Sequence, residues 1–197
     1  MRRIMVLALG LVCLCEPALA GALEDGAAAY KAGDYAGALR IWQPLADRGD
    51  ALARNNLGLM YLSGKGVPQD NAKALHYLSL SAAAGSAEGQ NNLGGLYRNA
   101  TGVPRDYARA MRWFSASAAQ GNSAGMYNLG LMYELGEGMA AEPLHAYMWF
   151  SLAADQHNMP DAATHRDAVS ARMMPEERTQ ARAMAAACKA SGYKGCR

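Results

Sequence analysis

The chain repeats itself. "NNLGLMY" begins at Asn55, "NNLGGLY" at Asn91 and "YNLGLMY" at Tyr127, each start 36 residues after the last. Residues 51–86, 87–122 and 123–158 are thus three copies of one unit, with no residue inserted or deleted. A unit this short cannot bury its apolar face alone, so copies must stack and share a core.

Each unit reads as two helices. Asp50, Ser86, Asn122 and Asn158 share one position, and all four are favoured N-cap residues for the helix that follows. Gly49, Gly85 and Gly121 precede them, where glycine ends a helix in the left-handed conformation. His157 takes the fourth such place, marking the last regular repeat. Turn glycines recur at Gly66, Gly102 and Gly138. Asp70, Asp106 and Glu142 then stand ready to cap the second helix, with Pro143 fitting its first position. Leu57, Leu93, Leu129, Tyr61, Tyr97 and Tyr133 fall on one face at i and i+4 and are read as core. So are Trp42, Trp113 and Trp149 of the second helices, because aromatic side chains dominate buried area.

Two ladders inside the first helices call for a reason. Gly58, Gly94 and Gly130 each cost about 1 kcal/mol relative to alanine, which points to close packing against the alanine-rich second helix. Asn56, Asn92 and Asn128 are poor interior helix residues. A hydrogen bond to the neighbouring repeat's turn is expected for them, with ligand contact as the alternative.

Chemistry-bearing motifs dissolve in this frame. "GNSAG" at 121–125 matches the nucleophile-elbow pattern, but Gly121 is a terminator, Asn122 a cap and Ser123 the first residue of a helix. The elbow needs a preceding strand. "SGYK" at 191–194 fits Ser-x-x-Lys without its partner motifs. His76, His145, His157 and His165 are scattered; Asp161 and His165 could pair on one helix face, but a zinc site takes three or four ligands. No catalytic residue, metal or cofactor is assigned. A net charge of +2 carries no nucleic-acid footprint.

The ends differ from the array. "MRRIMVLALGLVCLCEPALA", residues 1–20, has a basic start, a short apolar run and an Ala-x-Ala close, the pattern of a secretory signal peptide. Its apolar run is too short to span a bilayer, and no stable membrane insertion is expected after cleavage. Cleavage removes Cys13 and Cys15, leaving Cys188 and Cys196 to form a disulfide in an oxidising compartment. Residues 21–50 form a shorter helix pair, and residues 159–197 a C-terminal capping pair with a disulfide-tied tail.

The unit consensus A-x-x-x-x-N-L-G-x-x-Y, G-x-G-V-P-x-D, A-x-x-W-F/Y and A-A-x-G resembles the Sel-1-like repeat, a relative of the tetratricopeptide repeat. The resemblance covers residues 51–158, and residues 21–50 resemble a tetratricopeptide-style unit with a tighter turn. It implies an all-α, right-handed α-solenoid of stacked antiparallel helix pairs, closed by the C-terminal capping pair. By similarity to tetratricopeptide repeats, the concave groove would be lined by Leu52, Asn55, Leu59 and Leu62, then Glu88, Asn91, Arg98 and Asn99, then Tyr127, Leu131, Glu134 and Leu135. The same residues also read as an ordinary solvated face. The function implied is a non-catalytic, periplasmic or secreted bacterial scaffold binding a protein or peptide of the cell envelope. The alternative is penicillin-binding or weak β-lactamase activity, as in cysteine-rich relatives that carry a cysteine pair in each repeat. This chain has no cysteine in residues 21–187.

Overall fold

The computed structural model describes residues 16–156 and 159–196, and within them the chain forms helices only. In order they are α1 (Glu16–Lys31), α2 (Tyr35–Asp47), α3 (Ala51–Ser63), α4 (Asn71–Ala83), α5 (Ala87–Asn99), α6 (Tyr107–Ala118), α7 (Ser123–Leu135), α8 (Pro143–Ala154), α9 (Pro160–Ser170) and α10 (Pro175–Ala190). Helices α1–α8 pair in sequence, and each pair packs on the next. The result is an all-α solenoid of antiparallel helix pairs. Residues 1–15 of the expected leader lie outside the described residues, and α1 runs across residue 20. No described helix is long and apolar enough to cross a membrane.

Local chemistry sets the helix boundaries. The side chains of Asp50, Ser86 and Asn122 accept from the backbone N–H of Ala53, Gly89 and Gly125. Each satisfies a donor that the first helical turn leaves orphaned. Asp70 and Asp106 do the same for α4 and α6. Glu142 departs from this pattern: it makes no cap bond. Its carboxylate is taken up instead by His145 Nδ1 at 2.6 Å, and Pro143 at the first helical position removes one orphan N–H anyway. His157 and Asn158 lie outside the described residues, and Met159 occupies the N-cap position of α9. Ser123 opens α7 behind its Asn122 cap, with no strand leading into it, so the elbow reading of "GNSAG" is excluded.

Packing within a pair depends on the glycine ladder. A Cβ placed on Gly58 would lie 2.7 Å from Leu78 Cγ; on Gly94, 2.8 Å from Phe114 Cδ1; on Gly130, 2.6 Å from Phe150 Cδ1. The close packing is therefore against the second helix, as expected, and its contact there is one large side chain, Leu78, Phe114 or Phe150. Leu57, Leu93 and Leu129 lie beneath, buried with Met60, Leu96 and Met132. The tyrosines are a correction, since Tyr61, Tyr97 and Tyr133 are only half-buried. Each is covered by the residue at one fixed position of the second helix. Lys73 lies 5.1 Å over Tyr61, Arg109 lies 5.3 Å over Tyr97, and His145 stacks 5.0 Å from Tyr133. A ring whose hydroxyl must stay wet suits this border position. Trp42 and Trp149 are buried, whereas Trp113 is partly exposed.

At the C-terminal end, α9 and α10 both pack against α8 and close the core. Cys188, the last buried residue of α10, is bonded to Cys196 with Cα atoms 5.2 Å apart. The bond turns the tail back, so that Tyr193 and Cys196 pack on the core cluster of Trp149, Leu152 and Ala118.

Two adjacent glycines separate packing from helix propensity. Gly94→Ala should destabilise by about 1–3 kcal/mol, since overpacking outweighs the propensity gain. Gly95→Ala, with nothing within 4 Å of an added Cβ, should stabilise by about 0.5–1 kcal/mol. Urea denaturation of the two variants checks the opposite signs. Reducing the Cys188–Cys196 bond, which closes a short loop, should cost about 2–3 kcal/mol by loop-closure entropy. Melting of residues 21–197 with and without reductant, alongside a free-thiol titration of zero for that segment, tests it.

Candidate binding face

The first helices of successive repeats are bound together by asparagines. Asn128 Nδ2 donates to Asn91 Oδ1 at 2.8 Å, and Asn92 Nδ2 donates to Asn55 Oδ1 at 2.8 Å. Within each helix, Asn91 Nδ2 reaches Asn92 Oδ1 and Asn55 Nδ2 reaches Asn56 Oδ1, both at 3.4 Å. The amides form one chain, Asn128–Asn91–Asn92–Asn55–Asn56. The expected partner was the neighbouring turn; the observed one is the asparagine of the preceding first helix. An amide carries both donors and an acceptor, so it can pass the bond along.

This ladder has a geometric consequence. Helix α3 packs on α5, and α5 on α7, while no comparable packing joins α4 to α6 or α6 to α8. The stack is therefore tighter on the first-helix side.

The lining positions fall into three groups. Asn55 is only 5% exposed and is committed to the ladder, so a ligand cannot reach it. Asn91 also carries a rung, though it remains half-exposed. In the third repeat, α9 lies against the lining. Tyr127 packs edge-on to His165 at 5.5 Å between ring centroids, and Glu134 accepts from His165 Nδ1 at 2.9 Å and from Arg172 at 3.0 Å. His165 therefore pairs with Glu134 and not with Asp161. Leu131 packs against the cluster that joins α8 and α9. Burial, reinforced by Asp161 and Glu134 and opposed by Arg98, raises the Tyr127 phenol above its usual range. It stays protonated at neutral pH. Leu52, Leu59, Leu62, Glu88, Arg98 and Asn99 in the first two repeats remain open to solvent to differing degrees.

Those two repeats hold a cleft of about 260 Å³. Leu59, Leu62, Leu96 and Phe114 supply its apolar surface, and Asn91, Asn92, Asn99, Asn128 and Thr101 its polar rim. Arg98 sits at the edge but is neutralised. Its Nε and Nη2 meet both carboxylate oxygens of Glu137 at 2.6 and 3.2 Å, with each side chain less than a fifth exposed. This two-point fork ties α5 to the turn after α7. The cleft exists because Gly95 stands where the neighbouring repeats have Leu59 and Leu131. The substitution was visible by aligning the three copies, since glycine breaks an otherwise apolar row.

Chemical constellations are sparse elsewhere. Among the described residues, no group of three His, Cys, Asp or Glu side chains could hold a metal. Ser191 of "SGYK" donates to the backbone carbonyls of Cys188 and Lys194, which finishes the end of α10.

Comparison with known proteins agrees with the architecture. The Sel1 repeat family matches residues 51–86, 87–122 and 123–158, more than half of the chain. The chain belongs to the Sel1 repeat family, whose members are typically non-catalytic scaffolds for protein–protein interaction. It is similar to a protective antigen present in uropathogenic Escherichia coli strains that displays an SLR fold. That match has 34% identity and a TM-score of 0.64, over 72% of this chain and 31% of that one. It is also similar to a Sel1 repeat protein from Oxalobacter formigenes, at 28% identity and a TM-score of 0.67, over 73% of this chain and 58% of that one. It thus spans less than two thirds of either. No curated protein matches it.

Asn92→Ala leaves buried Asn55 without its inter-repeat donor and should cost about 1–3 kcal/mol. A double-mutant cycle with Asn55→Ala, read by chemical denaturation, should return a coupling of at least about 0.5 kcal/mol. Additive losses would remove the rung.

Proposed function

We propose that this chain is an exported, non-catalytic scaffold that holds an extended segment of a cell-envelope protein along its concave face. The observation that carries the reading is the open stretch of first-helix surface in the first two repeats. It joins exposed Leu52 and partly exposed Leu59 and Leu62 to a cleft rimmed by amides. Leu52, Leu59, Leu62, Glu88 and Asn91 line the path in this reading, with Arg98 at its edge. Tyr127, Leu131 and Glu134, backed by α9, form its end wall. Amide side chains satisfy the backbone N–H and C=O groups of an extended peptide, and leucines take up its apolar side chains. Export is supported by the leader-like residues 1–20 and by the Cys188–Cys196 bond, which belongs to oxidising compartments.

The test replaces an exposed lining residue that no rung or core contact depends on. Leu52→Glu, at a position 44% exposed, should leave the melting temperature within a few degrees. The same variant should lose at least about tenfold of the partner recovered by in-cell crosslinking, because desolvating an unpaired carboxylate at an interface is costly. Equal recovery from wild type and variant would discard the concave face. Fractionation should find the wild-type chain outside the cytoplasm with its thiols oxidised.

A further inference from the structure

We propose that the notch at Gly95 is a side-chain subsite, which takes one aliphatic side chain from an uncharged, extended protein segment. This rests on the concave-face reading above and specifies what that face recognises. Three observations converge on the occupant.

Size comes first. Leu59 and Leu131 flank Gly95 in one row, one repeat away on either side, and a Cβ built on Gly95 meets nothing within 4 Å. The row therefore lacks one leucine-sized side chain, and an incoming one can complete it. At about 260 Å³ the cleft is smaller than the ~300–1,000 Å³ that drug-sized ligands fill. It suits one side chain with its adjoining backbone.

Charge comes second. Arg98 is the cationic side chain of the lining, and Glu137 engages it through both carboxylate oxygens. An acidic ligand would have to displace Glu137, and a basic one would approach Arg98 unaided. The neutral site matches a neutral occupant.

Polarity comes third. Asn91, Asn92 and Asn128 hold one another through the ladder, so their amides face the cleft already oriented. An asparagine amide has two donor protons and a two-lone-pair oxygen. Each ladder amide thus has hydrogen-bonding capacity beyond its rung, directed where the backbone of a bound segment would run. A preorganised rim avoids the ordering cost that weakens flexible sites.

Gly95 also sits inside a helix, where glycine is unfavourable relative to alanine. Filling the notch should therefore weaken binding and strengthen the fold, a combination that general misfolding cannot produce.

The experiment pans a random heptapeptide phage library on the full chain and measures synthetic versions of the enriched peptides by fluorescence polarisation. Three variants are compared with wild type: Gly95→Leu, which copies the neighbouring repeats; Gly95→Ala, the smaller filling; and Leu52→Glu, on the same face but outside the cleft. Enriched peptides should share an uncharged stretch with one Leu, Ile or Met. Their affinity should fall about tenfold or more in Gly95→Leu and about twofold to fivefold in Gly95→Ala. Both glycine variants should melt at or above the wild-type temperature. Equal binding to wild type and Gly95→Leu, an acidic or basic consensus, or no enrichment would overturn the proposal. Peptides insensitive to Gly95→Leu but lost with Leu52→Glu would overturn the subsite and leave the concave-face reading standing. Peptides insensitive to both would overturn the two together.

Discussion

The architecture depends on how closely two helices can approach at Gly58, Gly94 and Gly130. With no Cβ, the backbone of each first helix meets Leu78, Phe114 or Phe150 at a separation that any other residue would obstruct. The propensity lost at these glycines is small beside the burial of a Phe or Leu side chain, roughly 1.5–3 kcal/mol. Because the device recurs at one register, every pair has similar dimensions, and similar pairs stack without accumulating error. Shared geometry explains why the caps, turns and border tyrosines also recur at fixed places.

A second set of forces acts between pairs. Helices α3, α5 and α7 are drawn together by amide hydrogen bonds and by the Arg98–Glu137 fork, whereas among the described residues the second helices show no equivalent ladder. Binding one side of a stack more tightly than the other bends it. Asparagine's low helix propensity is offset here because its amide is satisfied between helices. The ladder ends where Tyr127 replaces the next asparagine, and there α9 supplies His165, and the turn after it Arg172, in place of a further rung. The array is closed by a change of chemistry at one position.

Much of the site follows from departures from the repeat. Gly95 breaks a row of leucines, Glu137 replaces the Lys65 and Thr101 of its equivalent positions, and each departure contributes to the cleft. Glu137 neutralises Arg98, and Gly95 opens the floor. Positions shared by every copy hold the stack together; positions that differ distinguish this chain's surface from that of a generic solenoid.

The primary structure alone determined the helix pairs, their caps, the buried leucines and the repeat period, because these depend on contacts within about four residues or on a motif copied in register. It also marked both ladders as unusual. What only the tertiary structure decided is where long-range partners lie. Gly58 faces Leu78 while Gly94 and Gly130 face aromatic rings, the asparagines bond each other across a full repeat, His165 meets Glu134, and Glu142 gives its carboxylate to His145 instead of capping. Several chemically sensible partners exist for an amide or carboxylate, and choosing among them takes the distance between helices. Packing sets that distance, and no single residue encodes it.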